Sequence, residues 1–292
     1  VSTGTPLNAN QYIEVQLDDL LKKLEDKFDK DGFAFVGPLM YSTDDFVRDL
    51  IESRPTKRNA LLVVLETTGG YIEPARRMVS VFRHHYSANV EFVVPSYAMS
   101  AGTVLAMSGD AIHMDYYATL GPIDPQVESK DGNLIPALGY LVQYNKLLGK
   151  ANAGAASSAE IALLMKFDQA ELHKYEQEAQ LSVTLLKEWL AKYKFKDWKK
   201  TETKKTDVTP QMKEERAAEI ANALNDTERW HTHGRGITME VLRRDLKLVI
   251  DDFGQDAALD GMIRHYHRLL IDYMRRLDKN WMIHRPGKFL YF

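Results

Sequence analysis

From Ile13 onward the apolar positions Leu17, Leu20, Leu21, Leu24 and Phe28 recur every three or four residues. That spacing predicts an amphipathic helix, with Gly32 as its C-terminal stop. FAFVGPL (33–39) is then a short apolar run halted by Gly-Pro, which predicts a strand. A second helix is expected from Thr43 or Asp44, either of which can cap it, with Phe46, Leu50 and Ile51 turned inward. ALLVVLE (60–66) is continuously apolar at strand length, as in a parallel sheet covered on both faces. TTGG breaks it, and Ile72, Ala75, Val79 and Phe82 return to helical spacing up to His84-His85. VEFVVP (90–95) predicts another buried strand, residues 100–108 a helix, and AIHM (111–114) a third strand. Strand, turn and helix alternating with short loops imply right-handed crossovers and a parallel sheet between helices.

Beyond Gly121 the pattern changes. GPIDPQVESKDGN (121–133) holds prolines and polar turn formers and predicts a loop, and a long helical pattern runs from about 159 to 194. Residues 192–213 carry Lys192, Lys194, Lys196, Lys199, Lys200, Lys204 and Lys205 with few apolar positions, so a solvated arm is expected. A last helical region places Val241, Leu242, Leu246, Val249 and Ile250 on one face, and Leu269, Leu270, Tyr273 and Leu277 on another. The expected division is a helical segment over 1–32, an α/β core over 33–190, the Lys-rich arm over 191–215, and a helical region over 216–292 that completes or extends the core. Trp281, Phe289, Tyr291 and Phe292 near the end are expected to dock on their own subunit.

Composition narrows the function. At 292 residues, 45% hydrophobic and 27% charged, the chain reads as an ordinary globular protein with ample core. A net charge of −3 argues against a general nucleic-acid binder, and acids intersperse the Lys-rich arm. The absence of cysteine removes disulfides, thiolate metal sites and a cysteine nucleophile. No signal-peptide pattern or long apolar run is visible, so the cytoplasm is expected, with an anchor upstream of Val1 left open.

Two turns carry the candidate chemistry. ETTGG (66–70) and PSYAMSAG (95–102) both follow strands, and in parallel sheets ligands bind beyond the strand carboxyl ends. Gly69 and Gly70 let backbone N–H groups approach a ligand closely, and Ser100 stands where a helix begins. A hydroxyl beside amide donors suits acyl transfer. Taken singly, a Gly-Gly turn is simple turn chemistry and a serine at a helix start is an N-cap; their pairing in one βαβ unit raises the catalytic reading. HTH (231–233) and HYH (265–267) lack the further ligands a metal site needs, so no metal or cofactor is expected.

The run TTGGYIEPARRM…VVPSYAMSAGTVLAMSGDAIHMDYYATLGPIDPQ resembles the serine dehydrogenase proteinase family, a branch of the ClpP/crotonase superfamily related to signal peptide peptidase A. RWHTHGRGIT (229–238) resembles a further stretch of that family. The resemblance covers about 60–126 well and 127–250 more weakly. It implies ClpP/crotonase-like repeated ββα units, here with additional C-terminal helices, assembled into a homo-oligomer. It also implies Ser100 as nucleophile, the Gly70 and Ala101 amides as oxyanion donors, Gly69 shaping the turn, and Asp124 in the loop near the site. Thr68 stands where the family has proline.

The base that activates Ser100 stays open. ClpP uses histidine, but this chain reads Pro122-Ile123-Asp124-Pro125 where that residue would fall. Signal peptide peptidase A uses a lysine, and Lys146, Lys150, Lys166 and Lys174 are available. Lys166, among Leu163, Leu164, Met165 and Phe167, is the first choice on the expectation that burial depresses its pKa. His233 is the outside candidate. The expected function is an ATP-independent serine peptidase acting on peptide or protein. Alternatives are a crotonase-type acyl-CoA enzyme and an oligomeric scaffold with a decayed site. The Lys-rich arm and C-terminal helices are places for a protein partner.

Overall fold

The computed structural model describes residues 8–123, 126–128, 132, 134–232 and 234–292. Asp124 and His233 lie outside them. The first half reads α1 (Ala9–Phe28), β1 (Asp31–Val36), α2 (Thr43–Glu52), β2 (Ala60–Glu66), α3 (Ile72–His85), β3 (Asn89–Val93), β4 (Tyr97–Ala98), α4 (Ala101–Met107), β5 (Ala111–Met114) and β6 (Thr119–Leu120). A hairpin of β7 (Gln126–Glu128) and β8 (Leu134–Pro136) leads to α5 (Ala137–Asn152), α6 (Ser158–Leu164) and α7 (Gln169–Trp189). The chain continues through a π-helical turn (Leu190–Lys194), α8 (Pro210–Leu224), α9 (Thr227–Trp230), β9 (Ile237–Thr238), α10 (Met239–Arg244), β10 (Asp251–Asp252), α11 (Ala257–Arg276), β11 (Met282–Arg285) and β12 (Lys288–Tyr291).

Among the described residues the main sheet has seven strands in the order β10-β5-β3-β2-β1-β11-β12. The first five are parallel, and β11 and β12 extend the sheet antiparallel. This α/β architecture agrees with the sequence reading. Alternation within the strands sends side chains to two cores. Phe33, Phe35, Leu61, Val63 and Leu65 face α2, α3, α4 and α7, whereas Ala34, Val36, Leu62 and Val64 face α1 and α11. On the latter face His284 is fully buried, held by Asp18 at 2.9 Å and Tyr266 at 2.8 Å and stacked on Phe289. That network ties together α1, α11 and the C-terminal strands.

Several expectations need correction. The first helix ends at Asp29 in the left-handed conformation, so Gly32 is not its stop. Gly32 belongs to β1, where an added Cβ would strike Leu21 and Glu25. Ser42, not Thr43 or Asp44, holds the N-cap position of α2, and its side chain makes no capping bond. The long helical pattern from 159 is interrupted at 165–168, and Asp168 caps α7 by accepting from Ala170 and Glu171. Residues 245–250 leave the helix: Leu246, Leu248 and Ile250 are buried while Val249 is exposed, a two-residue alternation. The C-terminal region is not only helical, because β11 pairs with β1. Trp281 is buried, and its ring packs at a tilt against Phe46 and Phe292 of the same chain.

The start of the Lys-rich arm is docked rather than solvated. Lys196 pairs with the buried Asp110 at 2.6 Å, and Arg83 lies 3.7 Å over the Tyr193 ring. Burial pushes the Lys194 amine down to about 8, with Asp251, Glu91 and Asp110 opposing that fall. This cluster sits by the first residues of β3 and β5, opposite the sheet end that carries Ser100. Only the exposed hairpin closed by Lys200 and Asp207 at 2.6 Å fits the solvated expectation.

Candidate active site

Beyond Glu66 the chain leaves β2 and is zipped to the segment before Ser100. Thr67 N–H donates to the Tyr97 carbonyl at 3.1 Å, and Met99 N–H donates to the Thr67 carbonyl at 2.9 Å. Thr67 Oγ1 accepts from Gly69 N–H at 3.0 Å. The two turns singled out by sequence therefore meet in space through consecutive backbone hydrogen bonds.

Both glycines are required by geometry. Gly69 has φ +89, and a Cβ there would stand 2.6 Å from the Met99 carbonyl oxygen and 2.7 Å from Ser100 Cβ. Gly70 has φ +138, and its added Cβ would strike the Leu39 carbonyl. Leu39 bonds to the residues on either side of Gly70: its N–H donates to Gly69 at 2.8 Å and its carbonyl accepts from Tyr71 at 2.9 Å. In a parallel bridge of this kind the intervening residue turns its own N–H away. Among the described residues neither the Gly70 nor the Ala101 N–H donates to a backbone carbonyl.

Ser100 is fully buried and has φ 53, ψ −121, a conformation that costs a non-glycine residue about 1–3 kcal/mol and is held only where the surroundings over-determine it. Its side chain makes no capping bond to α4, so the simple N-cap role does not apply. The strained turn is pinned from below by Thr103, which the sequence did not single out. Its hydroxyl donates to the Ala98 carbonyl at 2.8 Å and accepts from Gly121 N–H at 2.9 Å. Gly102 presses against the Thr67 side chain.

A second clamp holds the same turns from the α11 face. Glu66 is engaged by His267 at 2.6 Å and by Tyr97. The Tyr97 phenol is pushed up by burial and by the charge and hydrogen bond of Glu66. The sequence signal was a carboxylate closing an otherwise apolar strand, and the HYH stretch supplies its partner. Among the described residues no group of three or more His, Asp or Glu side chains is placed to hold a metal ion.

Lys146 and Lys150 lie on α5, Lys166 in the turn after α6, and Lys174 on α7, and all four are exposed. Lys150 is engaged by Glu160 at 2.6 Å. The expected burial of Lys166 is contradicted, because Met165 is 82% and Leu163 50% exposed. Apolar neighbours in sequence do not bury a lysine when their short helix never reaches the core.

Lys174 is set apart by its surroundings. α7 packs along α3 in the same direction, with Glu178 near Glu73 at the start of α3 and Tyr193, just past α7, over Arg83 near its end. Burial pushes the Glu178 carboxyl up, Lys174 opposes the rise, and Glu73 adds to it. The helix therefore overhangs the strand ends by about 13 Å between Glu178 and Gln169, at ~1.5 Å per residue. Lys174 sits one turn into that overhang from Glu178, whose charge reaches Tyr41, and Tyr41 and Tyr71 lie 4.6 Å apart beside the Gly70 turn.

Two uncharacterized proteins of Methanocaldococcus jannaschii are 40% and 34% identical to this chain over 65 residues each, every match spanning 22% of this chain and 22% of the relative. Two mutant structures of a 1510-N membrane-bound stomatin-specific protease superpose with TM-scores of 0.41 and 0.42. Their identities are 14% and 16%, over 75% of this chain and 76% and 72% of theirs. The second of them holds a substrate peptide. The family profile of ClpP-like SDH-type serine proteinases matches residues 42–206. That match takes in both turns, Ser100 and more than half of the 292 residues, and the chain belongs to the ClpP-like SDH-type serine proteinases.

Proposed function

We propose that this protein is a serine peptidase that cleaves peptide bonds through an acyl-enzyme on Ser100. The observation that carries the reading is the strained Ser100 backbone pressed against a Gly-Gly turn whose second N–H is turned away from its bridge partner. Ser100 Oγ attacks the scissile carbonyl, and the oxyanion takes hydrogen bonds from the Gly70 and Ala101 amides. Such donors typically contribute about 2.7–4 kcal/mol each to transition-state stabilisation. A neutral amine accepts the Oγ proton and passes it to the leaving amine. Water, deprotonated by the same base, then releases the acyl group and restores the serine. No cofactor enters this cycle.

The base belongs to the α5–α7 arm in this reading, and the overhang of α7 favours Lys174 over Lys166. An exposed lysine serves as base only once substrate or a second subunit excludes water around it, since desolvation is what lowers an amine pKa. His233 and Asp124 remain in the proposal on the strength of the family resemblance alone.

A fluorophosphonate probe tests the nucleophile. Wild type should label covalently and Ser100→Ala should not, while equal labelling of the two would exclude the acyl-enzyme. For the base, Lys174→Met should abolish peptide turnover and Lys166→Met should leave it near wild type. The reverse pattern would return the role to Lys166.

A further inference from the structure

The outer side of α11 carries Arg264, Arg268, Ile271 and Arg275 at four-, three- and four-residue spacing, and Lys279 follows just past its end. These intervals align the side chains along one flank of the helix. Opposite them stand Pro95, Ser96, Tyr116 and Tyr117, and the two sides enclose an open groove of about 1010 Å³. Past Ile271 and Arg275, which line both, the groove meets a second cavity of about 210 Å³. Its walls include Thr67, Thr68, Tyr97 and Lys279, so it ends one residue short of Gly69.

The charges along this path are unevenly satisfied. Arg264 is engaged by Asp115 and by Asp260 at 2.7 Å, and Glu66 by His267. Among the described residues Arg268, Arg275 and Lys279 carry no ion pair, against one lining carboxylate in the same position, Asp272. Tyr116 and Tyr117 are 78% and 64% exposed, an unusual degree for adjacent aromatics, and they face a wall rich in guanidinium groups. Guanidinium and phenol surfaces together suit carboxylate side chains interspersed with aromatic ones.

We infer that this groove binds an acidic, aromatic-bearing extended segment of the protein substrate, flanking the bond presented to Ser100. The inference rests on the peptidase reading for its use, although binding itself does not require turnover.

The test is fluorescence anisotropy on the wild-type chain with three labelled probes: a Glu/Tyr peptide, its Gln/Tyr counterpart and a single-stranded oligonucleotide. At low salt the Glu/Tyr peptide should bind about tenfold tighter than the Gln/Tyr peptide, as two or three exposed ion pairs provide, and the difference should shrink in high salt. Arg268→Glu with Arg275→Glu should remove that preference. Tyr116→Ala with Tyr117→Ala should weaken both peptides and leave the salt dependence in place. Equal affinity for the two peptides, or an undiminished preference in the double charge reversal, would overturn the inference. So would tighter binding of the oligonucleotide, which would assign the groove to nucleic acid. Failure of wild-type Ser100 to label, with the acidic preference intact, would sink the peptidase reading and leave the groove standing.

Discussion

The two halves of the candidate site are built in opposite ways. Ser100 and the Gly70 and Ala101 amides proposed to serve it sit on backbone stitched into the sheet: Thr67 to Tyr97 and Met99, Leu39 to Gly69 and Tyr71, Thr103 to Ala98 and Gly121. The candidate lysines ride on an arm of α5, α6 and α7, whose outer part rests on a small cluster of Leu141, Leu172 and Tyr175. The first half can hold a strained serine because its surroundings leave no alternative. The outer part of the arm has few buried contacts, and segments of that kind open and shift at low cost. Under the peptidase proposal, a site assembled this way would keep its oxyanion geometry constant and leave activation to an element that substrate could reposition.

The largest effect expected from breaking the rigid half is that of Gly70→Ala. The new Cβ meets the Leu39 carbonyl at a backbone conformation that L-residues rarely adopt, so the turn must move and its amide with it. Probe labelling of Ser100 should fall by roughly 10²–10³-fold, the loss typical of one missing oxyanion donor. Labelling within a few fold of wild type would mean that the Gly70 amide does not serve the site.

Acid should act next, through the network behind the sheet. Burial holds the His284 imidazole below its usual value, despite the opposing pull of Asp18. Burial pushes the Asp18 carboxyl up, but bonds to His284 and Gly287 hold it below the usual aspartate value. A group with a depressed folded pKa takes up its proton more readily in the unfolded chain. Stability from His284 is therefore complete above the ordinary imidazole value of about 6.5 and declines as the pH falls below it. Asp18 adds a further loss below the ordinary aspartate value. Thermal unfolding should shift to lower temperature between pH 7 and pH 5, and the shift should shrink in His284→Phe. A wild-type Tm that is flat over this range would show that His284 is not held neutral by its burial.

The smallest effect belongs to the arm. Lys150→Ala removes an ion pair with Glu160 whose lysine is exposed, so no measurable change in Tm is expected. Hydrogen exchange should already be fast in α6 of the wild type and unchanged by the substitution. Strong protection of α6 in the wild type would erase the contrast between the two halves.

Much of the rigid half was legible in the sequence, for a local reason. A continuous apolar run such as ALLVVLE, followed at once by Gly-Gly, is a buried strand ending in a turn whatever the rest of the chain does. The same holds for Ser100 between an extended run and a helix. The arm misled for a related reason. Apolar residues around Lys166 announce burial only if the core reaches them, and whether it does depends on where α6 lies. Likewise 245–250 has the composition of a helix but leaves it through a turn and a left-handed Lys247, and Leu246, Leu248 and Ile250 find the core on alternate residues.

By itself, then, the sequence determined the alternation of strands and helices, the two turns and the residue types that could perform acyl transfer, since each follows from spacing within a few residues. It also excluded cysteine chemistry outright. Only the tertiary structure decided that the two turns are zipped together, that Gly70 cannot be replaced beneath Leu39, and that Glu66 meets His267 from 201 residues away. Those are contacts between segments distant along the chain. Their formation depends on sheet order and helix direction, and no local pattern of side chains encodes either.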